Sequence, residues 1–81
     1  MKSLETIVEI FWRDASTIGG WQDKESYEKH DIVECRTVGF FLKKTKNSIT
    51  VVTTFVPGFH DCNQSISIPL SWCSKIKVLR K

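Results

Sequence analysis

Residues 49–56 (ITVVTTFV) constrain this chain more than any other segment. Ile49 to Thr54 are β-branched throughout, and Phe55 follows. Such residues lose side-chain freedom against the preceding turn of a helix and pack well on a pleated surface, so the run reads as a strand. Pro57-Gly58 ends it, since proline lacks a ladder donor and glycine turns freely. A sequence built around such a strand must supply partners for both of its edges.

Those partners are legible elsewhere. Residues 6–13 (TIVEIFWR) read as a first strand, apolar on both sides except at Glu9. Residues 14–22 are a loop by their Asp, Ser, Thr and Gly content. Asp23 is placed to cap a short helix over 24–29, with Glu25 in its first turn and Tyr27 as its only apolar anchor. Residues 32–44 form a long strand with a bulge or sharp bend expected at Gly39. Thr45 to Ser48 closes a hairpin, 57–64 is a longer loop, and 65–69 alternates as a half-buried strand. Pro69-Leu70-Ser71-Trp72 suggests one turn of 3₁₀ helix. Residues 73–79 form the last strand, with Ile76 and Val78 on one face and Lys75 and Lys77 on the other.

Five short strands with one short helix after the first predict a β-rich α+β fold, a small closed or nearly closed barrel. At 81 residues the chain is expected to be one domain spanning 1–81 with a thin core. No apolar run approaches the ~20 residues needed to cross a bilayer. Glu5 and Glu9 interrupt the N-terminal apolar residues, unlike a signal peptide. Cys35, Cys62 and Cys73 are odd in number and lack C-x-x-C spacing, so they are expected to stay thiols in a cytoplasmic protein.

Charge is unevenly divided. Residues 1–34 hold four basic and eight acidic residues, whereas 35–81 hold eight basic residues and the single acid Asp61. Such asymmetry points to an anionic partner or to head-to-tail self-association; the alternative is that the halves neutralise one another within one fold.

Trp12-Arg13-Asp14 and Gly19-Gly20-Trp21 concentrate two of three tryptophans in ten residues. Trp12 and Trp21 are candidates to stack a base, or else to fill core volume. Arg13 is suited to a phosphate or carboxylate, or to pairing with Asp14 or Glu9. Lys43, Lys44 and Lys46 make a basic hairpin tip, and Phe59-His60 lies on a polar loop. His60-Asp61-Cys62 is too compact to supply a metal's full ligand set. A thiolate pair of Cys62 with His60 lacks a recognisable oxyanion donor set, and no G-x-x-x-x-G-K loop is present. The expectation is a non-enzymatic protein without metal or cofactor.

Trp12, Asp14, Gly20, Trp21, Val38-Gly39-Phe40, Ile68-Pro69, Ile76 and Leu79 together resemble the pattern of a family of small uncharacterised phage proteins. The likeness spans residues 8–79 and implies no catalytic residues. The second half is also similar to Sm-like or SH3-like barrels, in which a bent long strand, a hairpin and a 3₁₀ turn precede the closing strand; among Sm-like proteins that form implies rings and RNA binding.

Three functions follow as expectations. The first is a phage accessory protein of the host cytosol, an anti-defence sponge sequestering a nucleotide-like immune signal. Its site would draw on Trp12, Arg13, Asp14, Trp21, Lys43, Lys44, Phe59 and His60, formed between protomers of a homo-oligomer. The second is a single-stranded nucleic-acid-binding module. The third is a protein-interaction module that blocks a host factor.

Overall fold

The computed structural model describes residues 5–15, 19–58 and 61–81. Its elements are β1 (Ile7–Asp14), α1 (Lys24–Glu28), β2 (Val33–Lys44), β3 (Ser48–Phe55), β4 (Cys62–Pro69), a 3₁₀ turn (Leu70–Trp72) and β5 (Cys73–Arg80). The strands form one antiparallel sheet in the order β4-β3-β2-β1-β5. The expected β-rich architecture is present. The ladder does not close, however: β4 and β5 remain as edges, because no hydrogen-bonded pairing joins them.

Alternation places Val8 and Ile10 on the inner face of β1, Ile49 and Val51 on that of β3, and Ile68 on that of β4. All five are buried in one cluster, against which Trp12, Phe41, Ile66, Leu70, Cys73 and Ile76 pack. Residues of β1 and β4 share this cluster although two strands lie between them in the ladder, so the sheet curls over its own core. The buried Thr50 hydroxyl is satisfied by the hydroxyl of Ser67, its cross-strand partner, at 2.7 Å.

β2 makes the curl. Its first part pairs with β1 and its last part with β3, and Phe40 faces both Ile7 and Val52. The register irregularity lies between Phe41 and Lys43 rather than at the expected Gly39. Gly39 instead permits close approach. A Cβ there would sit 3.0 Å from Val51 Cβ, Val51 Cγ2 and the Val52 carbonyl oxygen. The bend therefore combines a surplus residue, Leu42, between two ladder pairs with a close approach of β2 to β3 at Gly39.

β4 begins at Cys62, so the expected loop over 57–64 is shorter and the strand longer. Cys62, Asn63 and Gln64 have weak strand preference, but pairing with Phe55 and Thr54 overrides it. Gln64 adopts a positive φ of 53°, and the Thr53 hydroxyl donates to the Asn63 carbonyl at 3.1 Å. Between β1 and β2 an arm of exposed residues runs from Gly19 to Ile32. It is ordered by the Asp23 carboxylate, which accepts from the Ser26 amide at 2.9 Å, and by the Tyr27 hydroxyl, which donates to the Gly20 carbonyl.

Candidate functional site

The end of β1 and the 3₁₀ turn build a chemically mixed hollow. Trp12 lies between Cys35 of β2 and Cys73 of β5 in the ladder. Alternation directs it toward the core, and its indole N–H donates to the Thr37 hydroxyl at 2.9 Å. The chain reverses after β4 through Leu70–Trp72, and Pro69 suits the entry to that turn by its preset φ of −58°. The reversal lays Trp72 against Trp12, with ring centroids 6.4 Å apart and planes 13° from parallel. Trp12 is thus held from behind, while Trp72 keeps 44% of its surface exposed.

Arg13, Asp14, Ala15, Ile32, Ser71 and Trp72 surround an open hollow of about 370 Å³. Arg13 faces Glu34 across the β1–β2 ladder, and its guanidinium lies 3.5 Å from the Glu34 carboxylate. Both side chains are mostly exposed, so the pair contributes only ~0–1 kcal/mol. Exchanging Glu34 for a ligand's anion therefore costs little. The hollow combines an aromatic face, a cation, a carboxylate acceptor and a hydroxyl.

The sequence-based site residues divide between several places. Arg13 and Asp14 line this hollow, and Trp12 lies behind it, stacked on Trp72. Lys44 lies instead in an open apolar groove of about 230 Å³ with Thr6, Val8, Phe41, Ile49, Ile76 and Val78, and Lys43 pairs with Thr50 next to it. Trp21 stands on the arm, 104% exposed, and lines neither hollow. Phe59 and His60 lie outside the described residues. Trp72 and Ser71 escaped sequence reasoning because their approach to residues 12–14 is a contact across some sixty positions, invisible to local pattern. The trace that existed was a tryptophan in a three-residue turn, a costly residue where a small polar one would serve.

A second polar constellation covers the opposite face of β2-β1-β5. Arg36 donates through Nε and Nη2 to Glu9 Oε2 at 3.0 and 2.6 Å. The Arg36 guanidinium lies 4.8 Å from the Phe11 ring centre and the Lys75 ammonium 5.7 Å from it. Lys77 faces Glu9 across the β1–β5 ladder.

The thiols differ in setting. Burial pushes the Cys73 thiol above its ordinary pKa, partly offset by the positive charge of Lys44, and its Sγ lies 3.4 Å from the Pro69 carbonyl. Cys62 is exposed at the start of β4. Among the described residues no group of three or more His, Cys, Asp or Glu side chains is gathered as for a metal ion. No helix among them is long and apolar enough to cross a membrane.

No protein-family model matches this sequence, no curated protein matches it, and no solved structure matches its fold.

Proposed function

We propose that the protein is a non-enzymatic binder of a small anionic, aromatic ligand of nucleotide type, held in the hollow beside Trp72. The observation that carries this reading is the convergence of Arg13, Asp14 and Ser71 around the exposed face of a tryptophan braced by another. Trp72 offers the ligand's ring a stacking surface, worth roughly 1–3 kcal/mol per base. Arg13 meets the phosphate or carboxylate as a two-pronged donor. Asp14 selects a ring edge that donates hydrogen bonds and disfavours a second anion beside it. Trp21, Lys43 and Lys44 take no part in the contact.

Strand order, the bent β2 and the 3₁₀ turn before β5 support an open barrel of Sm-like or SH3-like form as the scaffold. A phage-encoded protein of the host cytoplasm that sequesters a nucleotide immune signal is the biological setting that accords with the likeness described above. Thermal denaturation against a panel of linear and cyclic nucleotides tests the reading. A ligand at a hundred times its Kd stabilises the folded state by about 2.7 kcal/mol. A rise in Tm that Arg13→Glu and Trp72→Ala both abolish is expected. No shift with any nucleotide at millimolar concentration refutes it.

A second reading, single-stranded nucleic-acid binding, is favoured by Arg36, Lys75 and Lys77 around Phe11. It requires affinity for mixed oligonucleotides that falls steeply with salt, and is excluded if none binds at low ionic strength.

A further inference from the structure

The arm and the apolar groove are each unexplained by the site at Trp72. We propose that they explain one another: the Trp21 arm of one copy docks in the groove between β5, β1 and β3 of a second copy, giving head-to-tail self-association.

Trp21 is as exposed as a tryptophan can be, so it touches nothing that shields it in its own chain. Its position is nevertheless set. Gly20 adopts a positive φ of 92°, and its carbonyl accepts from the Tyr27 hydroxyl, tying the turn that carries Trp21 to α1. A tied backbone lowers the cost of ordering the arm when the ring is buried by a partner.

The groove offers a matching receptor. Val8, Phe41, Ile49, Ile76 and Val78 line it with apolar surface, and Lys44 stands among them. A cation beside an inserted indole is attracted by the ring face. Within its own chain Trp21 does not line this groove and stays fully exposed.

Charge supports the same pairing. The stretch from Asp14 to Glu34 holds six carboxylates against two lysines, a net −4. Lys43, Lys44 and Lys46 run along the end of β2 and into the turn beside the groove. Opposite fields of this kind orient two copies head to tail and disfavour head-to-head encounter. The contact joins different surfaces of the two copies, so it propagates unless rotation closes a ring. One inserted aromatic side chain buries roughly 150–250 Å². That lies well below the ~1,000 Å² of a lasting interface, so the association is weak and transient.

This inference is independent of ligand binding at Trp72, and its test uses full-length chains. Sedimentation equilibrium between about 10 µM and 1 mM is expected to show the wild-type mass rising with concentration, a range set by the weak contact. Trp21→Ala and Val78→Glu alter residues at 104% and 50% exposure, and circular dichroism checks that each remains folded. Each variant alone is expected to stay monomeric. Mixed, they are expected to form a one-to-one dimer that grows no further, because Trp21→Ala retains a groove and Val78→Glu retains an arm. Wild type that is monomeric throughout overturns the proposal. So does a Trp21→Ala variant that still associates, or a mixture that does not pair.

Discussion

Gly39→Ala places one methyl group where the bend of β2 leaves no room. The added Cβ would meet Val51 Cβ, Val51 Cγ2 and the Val52 carbonyl oxygen, each at 3.0 Å. Val51 is buried in the central cluster and cannot retreat without disturbing Ile10, Ile49 and Ile68. Gly39 lacks a positive φ, so dihedral strain does not enter. Replacing Gly by Ala at a permissive backbone stabilises by about 0.4–1 kcal/mol through the unfolded state. Overpacking a tight core costs about 1–3 kcal/mol. The crowding wins, and a net destabilisation of about 1–2 kcal/mol is expected. For a domain of this size that lowers Tm by about 5–15 °C. Gly19→Ala is the control, because nothing lies within 4 Å of a Cβ at that position, and its Tm is expected to stay put. Urea melts report both variants, with unchanged m for a change confined to the native state. Adding Val51→Ala to Gly39→Ala is expected to recover about 1 kcal/mol as coupling in a double-mutant cycle. A Gly39→Ala variant as stable as the parent would refute the close approach of β2 to β3 at Gly39.

Three smaller perturbations test other parts of the structure. Thr37→Val leaves the indole N–H of Trp12 without its acceptor and is expected to cost about 1–3 kcal/mol, read from chemical denaturation. The hydrogen bonds from Ser26 hold the Asp23 carboxyl below its ordinary pKa of 3.8. A depressed folded-state pKa means that the cap's stabilisation is present above 3.8 and is lost as pH falls from there through the lowered value. The Ser26 amide chemical shift, followed by NMR, is expected to titrate in that acid range together with the carboxyl it bonds, and to show no such step in Asp23→Ala. With a thiol reagent at mildly alkaline pH, exposed Cys62 is expected to react first and Cys73 last, since burial raises the latter's pKa and limits access; equal rates, followed by mass spectrometry, contradict that order.

Much of this fold is visible in short-range pattern. The β-branched run at 49–54, the Asp23 cap, the 3₁₀ turn after Pro69 and the alternation of Ile76 with Lys75 and Lys77 all appear where local chemistry places them. Local chemistry fails where tertiary pairing decides. Cys62 to Gln64 look like loop, and become strand because β3 presents a ladder to them. Gly39 reads as a bulge, whereas its role is set by Val51, twelve residues away and on another strand. Closure of the sheet is likewise a property of β4 and β5 together, and neither sequence encodes it alone. Trp12, Arg13 and Asp14 are legible as site residues because they adjoin in sequence. Trp72 and Ser71 are not, because only the reversal after β4 brings them there.

The claim that most depends on all of this is ligand capture beside Trp72. The three indole N–H groups report it directly by two-dimensional NMR at dilute protein concentration during a nucleotide titration. The expected result is saturable movement of the Trp72 signal, a smaller movement of the Trp12 signal stacked behind it, and a stationary Trp21. Movement confined to Trp21, or none at any of the three, contradicts the account.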